Sequence, residues 1–318
     1  MTKTRRIAAY GVCRDRSGRV LLARGAPYCN LPGLWQLPGG GLDHGEDPAD
    51  AVVREFAEET GLTVAVTGLR DVVSDVLRLP NRGLDEHTDR VIYDVTVLNG
   101  MLRDEPDGTT DAVAWTPPAE LAGLPLVPFT AELFGLPVDP EVLAAAGRVP
   151  APPFEPPPQR PDTGRRFGAY GLVTDPDGRV LLTLISDGYP GGGRWHLPGG
   201  GTDHGEQPQA AFLRELAEEA GQVGRITKLL EVGHRHNPAA RGPEGRPMDW
   251  HVVRVIYRAV VDVPTPARVT EAAGGSTARA GWFSLVEAAR LPLTDLAASG
   301  LRRLGGGSAA ADRSLLRE

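Results

Sequence analysis

The stretch from Arg5 to Gly61 recurs 160 positions later, as Arg165 to Gly221, without an insertion. Arg5-Arg6 and Ala9-Tyr10-Gly11 reappear as Arg165-Arg166 and Ala169-Tyr170-Gly171. Gly18-Arg19-Val20-Leu21-Leu22 returns as Gly178-Arg179-Val180-Leu181-Leu182, and Trp35 as Trp195. Leu37-Pro38-Gly39-Gly40-Gly41 becomes Leu197-Pro198-Gly199-Gly200-Gly201. From Leu37 to Gly61, 17 of 25 positions are identical to their partners. A repeat of this length marks a duplicated domain, not a solenoid of short units. Two like domains are expected, and 41% hydrophobic content in 318 residues suffices for two separate cores.

Between the copies, Arg148 to Gly164 contains Val-Pro-Ala-Pro-Pro-Phe-Glu-Pro-Pro-Pro. Proline at that density favours a stiff, extended chain that joins neither core. The expected organisation is therefore a first domain at 1–147, a linker at 148–164, a second domain at 165–304 and a frayed tail at 305–318.

The formal net charge of −7 argues against a general binder of polymeric nucleic acid or anionic membrane. A polyanionic ligand would need local metal ions, arginines or backbone N–H groups. Two cysteines, Cys13 and Cys29, make no disulfide framework and read as free thiols of a reducing compartment. The basic start resembles a secretory n-region, but the apolar stretch behind it, Ile7 to Cys13, is interrupted by Gly11 and ends at Arg14-Asp15. It is too short for a secretory core, and no apolar run reaches spanning length. A soluble cytoplasmic protein is expected. Nothing in the sequence bears on its oligomeric state.

Within each copy the pattern is mixed. Ile7 to Cys13 and Val20 to Ala23 are β-rich and flank the turn signal Asp15-Arg16-Ser17-Gly18, which predicts a hairpin; Asp175-Pro176-Asp177-Gly178 does the same in the second copy. A helix is predicted from Pro48 to Thr60, with Pro48 at its first position and Gly61 as C-cap, and its counterpart from Pro208 to Ala220. Further strands are predicted at Arg90–Val97 and His251–Tyr257. Each copy ends in a Trp-led strand and a short helix (Trp115 with Pro118 to Leu121; Trp282 with Leu285 to Ala289). The fold class this implies is α+β in each half.

On the first predicted helix Glu55, Glu58 and Glu59 stand at i, i+3 and i+4, so three carboxylates share one face. Such a stripe is ordinarily a solvated helix face. Stacked like charges repel, however, and a cation removes that penalty; hard oxygen ligands suit Mg²⁺ or Mn²⁺. Arg54 is placed to bridge to Glu46 or Glu58. Upstream, Pro38-Gly39-Gly40-Gly41 is a loop where backbone can approach a ligand closely.

This order of loop, single glutamate and Arg-Glu-x-x-Glu-Glu resembles the Nudix box, Gly-x₅-Glu-x₇-Arg-Glu-U-x-Glu-Glu-x-Gly-U, with U a bulky apolar residue. The first copy supplies Gly40, Glu46, Arg54, Glu55, Phe56, Glu58, Glu59, Gly61 and Leu62. The second supplies Gly200, Glu206, Arg214, Glu215, Leu216, Glu218, Glu219 and Gly221, then departs at Gln222, a packing position whose polarity is expected to loosen that helix end. The resemblance implies two tandem Nudix α/β/α sandwich domains with mixed sheets, each carrying the box as a loop–helix–loop. It implies that Glu58, Glu59 and the Gly39 carbonyl bind metal, and that Glu55 binds metal or takes the proton of the attacking water. Arg54 and Glu46 would hold these carboxylates in place. In the second copy the same roles fall on Glu218, Glu219, Gly199, Glu215, Arg214 and Glu206. The implied activity is Mg²⁺-dependent hydrolysis (Mn²⁺ as a substitute) of a small-molecule nucleotide, a nucleoside diphosphate linked to another moiety: nucleoside triphosphates, oxidised dNTPs, ADP-ribose or sugar nucleotides. The alternative is a ligand sensor that uses the fold without turnover; a third reading, processing of RNA ends, meets the objection of an acidic chain.

Outside the boxes, His44 and His204 recur beside the first box glutamate and read as loop residues. Trp35 and Trp195 read as packing under the glycine loop. Arg90 and Arg254 begin similar strands and are weaker candidates for a phosphate. Asp104, Glu105 and Glu271 lie where a late carboxylate often occurs in this family, and solvated loop is the default for each.

Overall fold

The computed structural model describes residues 1–27, 29–79, 83–105, 108–140, 163–241, 246–270 and 275–305. Residues 148–162 of the expected linker, 306–318 of the expected tail, and Glu271 lie outside them. The chain divides into two compact units, Met1–Arg165 with His236–His251, and Arg166–Arg235 with Val252–Glu318.

In the first copy, β1 (Thr2–Cys13) is buried from Ile7 onward on both faces. It therefore needs partners along both edges. It pairs in parallel with β6 (Leu84–Gly100), from Thr2↔Leu84 to Cys13↔Val95, and antiparallel with β4 (Gly39–Gly41). β5 (Leu62–Leu79) pairs antiparallel with β6, with irregularities between Thr63/Val64, Val66/Gly68 and Leu69/Asp71 that bend the long ribbon. The sheet order is β4-β1-β6-β5; a second sheet has the order β3 (Trp35–Gln36), β2 (Val20–Gly25), β7 (Thr110–Thr116).

The expected hairpin is only half formed. Its turn is as predicted: the Asp15 carboxylate accepts hydrogen bonds from the Ser17 and Arg19 N–H groups, and Gly18 takes φ +79°. After the single bridge Arg14↔Val20, however, β1 and β2 part into different sheets. The reason is edge occupancy. β4 and β6 already flank β1, and β3 and β7 flank β2, so neither has an edge left for the other.

The box helix α1 (Pro48–Thr60) is delimited as the sequence requires. The Asp47 side chain accepts from the Ala49 N–H, Pro48 needs no hydrogen bond at the first turn, and Gly61 closes the helix at φ +72°. Its apolar face, Ala51, Val52 and Phe56, is buried against the sheet. A Cβ on Gly11 would lie 2.5 Å from Phe56 Cε2, so helix and strand meet at the one residue without a side chain. Tyr10, Val12, Leu22, Leu37 and Ile92 form the opposite core with Phe129 of α2 (Pro128–Leu133). The segment after Trp115 is a 3-10 turn, Pro118–Gly123.

The second copy contains β8 (Thr163–Thr174), β9 (Val180–Ile185), β10 (Trp195–His196), β11 (Gly199–Gly201), α3 (Pro208–Ala220), β12 (Arg225–Arg241), β13 (Pro247–Val260), β14 (Thr277–Phe283), α4 (Leu285–Ala288) and α5 (Asp295–Gly305). One sheet runs β10-β9-β8-β13-β12, with β11 on β8 and β14 on β9. Thr163 and Gly164, assigned to the linker from sequence, begin β8, because no proline remains after Pro161 to stop the strand. Gln222 does not loosen the end of α3. It is buried, its amide donates to Ala220 O and Thr265 Oγ1 (both 3.0 Å), and its carbonyl oxygen accepts from Thr265 N–H (3.1 Å). Both polar atoms of the misfit side chain are satisfied, so its burial costs little. Neither cysteine is in a disulfide, and no described helix is long and apolar enough to cross a membrane.

Candidate active site

In the first copy β4 brings the glycine loop against β1. Gly39 has φ +139°, and a Cβ there would stand 2.3 Å from the Ala9 carbonyl oxygen, so no other residue fits. Its N–H donates to Glu59 Oε2 (2.9 Å), and the Thr110 hydroxyl donates to Glu59 Oε1 (2.8 Å). Glu59 is 3% exposed. Burial pushes its carboxyl up to about 8; the two donors work against that rise, and the nearby charges of Glu55 and Glu105 add to it. Next along the loop, a Cβ on Gly40 would come within 2.6 Å of Glu55 Oε1, so backbone and carboxylate are in direct contact. Burial raises the Glu55 pKa as well, against the pull of Arg54.

Arg54 is the hub. Its Nε and Nη2 grip Glu46 at 2.8 and 2.9 Å, Nη2 also donates to Gly41 O at 3.0 Å, and Nη1 reaches Glu55 and Glu58 at 3.0 Å each. This bidentate pairing with Glu46 outweighs burial and holds the guanidinium well above its ordinary value. Glu46 also accepts from the Asp43 N–H (2.8 Å), and these bonds hold it below the usual carboxylate range despite burial.

The second copy repeats the arrangement. Arg214 reaches Glu206 at 2.9 and 3.0 Å, Gly201 O at 3.2 Å, Glu215 at 3.1 Å and Glu218 at 3.0 Å; Gly199 N–H donates to Glu219 at 2.9 Å, and the Thr277 hydroxyl donates to Glu219. Among the arginine and glycine bonds the two copies differ most where the arginine meets the glycine carbonyl, at 3.0 Å in the first and 3.2 Å in the second.

All the box residues expected at a site thus meet there: Glu46, Glu55 and Glu58 on Arg54, with Glu59 on Gly39, and the same in the second copy. The three helix glutamates do not, however, bring one oxygen each within 4.8 Å of one another in either box, among the described residues. Arg54 holds Glu55 and Glu58, while Glu59 is held by other donors.

Two participants are missing from the sequence reading. Thr110 and Thr277 play the same part in the two copies, but they do not share the constant offset that exposes the rest. Arg6 is the other: a Cβ on Gly41 would lie 3.0 Å from its Nε, and although burial works against its charge, Tyr10, Glu86, Glu55 and Glu59 together raise its pKa. Arg166 stands against Gly201 in the same way. The available signal was the recurring Arg-Arg pair. Of the weaker candidates, Arg90 is committed to Asp75 (2.6 Å) and lies over the Phe129 ring at 4.6 Å. Trp195 is buried against Phe283 (ring centroids 4.8 Å), and Trp35 packs against the core under Arg24. Asp104 accepts from Val113 N–H; Glu105 accepts from Thr110 N–H, and its charge reaches Glu59.

The NUDIX domain model matches residues 4–135 and again 164–304. Over 133 residues the chain is 31% identical to the RNA pyrophosphohydrolase of Brucella ovis, covering 37% of this chain and 74% of that protein. It is 42% identical over 66 residues to Nudix hydrolase 25 of Arabidopsis thaliana, covering 21% of this chain and 34% of that protein, so only about a third of that relative's length is spanned. Among solved structures, the MutT protein of Methanosarcina mazei aligns at 21% identity over 46% of this chain and 99% of its own, with a TM-score of 0.36, too low to add to the family match. With the box present twice and the family matched across both halves, the chain belongs to the NUDIX family, as two tandem domains of the hydrolase kind that acts on pyrophosphate bonds.

Proposed function

We propose that each copy binds a divalent cation, Mg²⁺ with Mn²⁺ as a substitute, and that the chain cleaves the pyrophosphate bond of a small nucleoside diphosphate derivative: a nucleoside triphosphate, an oxidised dNTP, ADP-ribose or a sugar nucleotide. The observation that carries this reading is the arginine-centred carboxylate network, built twice with the same bonds. The donor set is all hard oxygen, which fits Mg²⁺. Buried Glu59, whose proton is held up to about 8, is a group that a cation would ionise.

In the first copy Glu58, Glu59 and the Gly39 carbonyl hold the ion, and in the second Glu218, Glu219 and the Gly199 carbonyl. A bound divalent ion stabilises charge on phosphoryl oxygens and acidifies nearby water. Glu55 and Glu215 bind metal or take the proton as the water oxygen bonds to phosphorus; the bridging P–O bond breaks and its electron pair leaves with the departing phosphate. Burial raises the pKa of Glu55, which improves it as a base near neutrality. Arg54 with Glu46, and Arg214 with Glu206, position these carboxylates.

The test is product release from a panel of nucleoside triphosphates, oxidised dNTPs, ADP-ribose and sugar nucleotides with Mg²⁺ or Mn²⁺. Wild type is compared with Glu58→Gln/Glu59→Gln and with Glu218→Gln/Glu219→Gln. The reading expects metal-dependent cleavage lost substrate by substrate in one variant or the other. No turnover of any compound, with binding that persists in both variants, sinks it and favours the sensor. A second reading, removal of pyrophosphate from RNA 5′ ends, draws support from the name of the Brucella relative. A 5′-triphosphorylated oligonucleotide in the same panel decides between them.

A further inference from the structure

The first unit holds a second cluster of ligand atoms, chemically unlike the glutamate box. His44 Nε2 lies 3.0 Å, and His236 Nε2 2.6 Å, from the same oxygen of Asp249. One ligand atom from each residue falls within 4.8 Å of the others, the only such group of three among the described residues. The His44 and His236 rings meet edge to face at 5.3 Å. His251 stands 5.6 Å from His44, and its Nδ1 accepts the Gly45 N–H at 3.1 Å, which ties the cluster to the loop backbone.

We infer that His44, His236 and Asp249 form a transition-metal site of the Zn²⁺ class, separate from the box carboxylates. Two borderline imidazole nitrogens beside one hard carboxylate oxygen suit Zn²⁺, Co²⁺ or Ni²⁺ better than Mg²⁺. Ligand atoms of a tetrahedral zinc site stand roughly 3.3 Å apart, given zinc–nitrogen bonds of about 2.0–2.1 Å. The two histidine–carboxylate separations, 3.0 and 2.6 Å, are shorter than that value, and all three ligand atoms lie within 4.8 Å of one another, so small side-chain rotations suffice. Three protein ligands leave a fourth position for water. An ion would replace the two histidine–Asp249 hydrogen bonds, and one further contact must change: Arg165 Nε now reaches His44 Nδ1 at 3.4 Å, and that nitrogen carries the proton once Nε2 binds metal. The contact is at the weak limit for a hydrogen bond, and Arg165 already has Leu42 O at 3.3 Å. His44 lies two residues before Glu46, the carboxylate that grips Arg54, so an ion here would fix the loop that enters the first box.

The experiment titrates Zn²⁺, and Co²⁺ as a spectroscopic probe, into the full chain in excess Mg²⁺, which occupies hard-oxygen sites without competing for imidazole. It is repeated with Glu58→Gln/Glu59→Gln/Glu218→Gln/Glu219→Gln. The inference expects saturable binding of one Zn²⁺ per chain in both proteins, with visible Co²⁺ bands of nitrogen-ligated tetrahedral geometry. It expects at least a tenfold weaker affinity in His236→Ala and in Asp249→Asn, on the order of what altering a metal site costs. Equal Zn²⁺ affinity in His236→Ala and wild type overturns it. So does Zn²⁺ binding lost with the box glutamates alone, or no binding in any protein; the hydrolase reading survives each of these results. His236 is partly exposed, so its truncation is not expected to unfold the chain, and a circular dichroism melt checks this.

Discussion

Thr110 and Glu59 are joined by a hydrogen bond that no local pattern announces, because the threonine opens a strand far along the chain from the helix it serves. Thr110→Val leaves a buried carboxylate oxygen without that donor. We expect a loss of about 1–3 kcal/mol in urea unfolding of the first copy; a change within measurement error means that the bond is idle. The box glutamates are legible because helical spacing is local, while Thr110 depends on the register of β7 and Arg6 on which face of β1 meets the glycine loop. His196 makes a second prediction at this scale. Burial, with the charges of Arg254 and Arg194, lowers its pKa to about 4 from 6.5; it packs against Tyr170 (5.1 Å) and bonds Thr294 Oγ1 (2.6 Å). The unfolded chain takes up a proton below pH about 6.5 that the folded chain refuses until pH about 4, so stability falls as pH falls through that window. The first copy has glutamine at the matching position, Gln36. His196→Gln should flatten the pH dependence of the denaturation midpoint, and an unchanged slope would refute this account.

At the scale of elements, the box helix is legible residue for residue, since proline, cap and glycine punctuate it at both ends. The hairpin is not, because strand pairing is not local. β1 takes its parallel partner, β6, from a distant part of the chain, with Thr2 opposite Leu84, and that partner's identity cannot be seen from either strand alone. The close contact between α1 and β1 at Gly11 gives a measurable consequence. Gly11→Ala places a methyl 2.5 Å from the Phe56 ring, and Gly171→Ala places one 2.1 Å from that of Phe212. Each should destabilise its copy by about 1–3 kcal/mol, as overpacking does, and chemical denaturation reads the loss. Gly40→Ala is a finer probe. It displaces the Glu55 carboxylate without removing it, so kcat should fall at least tenfold with KM little changed, while an unaltered kcat would remove Glu55 from the chemistry.

For the molecule as a whole, the duplication is plain in the sequence and the way the two copies diverge is not. Gln222 illustrates the difference. Judged by side-chain type it breaks the box, yet it is buried with a full set of hydrogen bonds supplied by Ala220 nearby and by Thr265 much later in the chain. Gln222→Leu should therefore give no gain in stability, and a higher melting temperature would show that the polar replacement is a burden. The two arginine networks also give the experimenter an internal standard, since their matching bonds are so nearly equal: 2.8 and 2.9 Å from the arginine Nε to the first box glutamate, 2.9 and 3.0 Å from Nη2. A substitution in one box can be compared with an untouched box of the same geometry in the same tube. Both share one concentration, one folding history and one metal supply, so protein preparation drops out of the comparison.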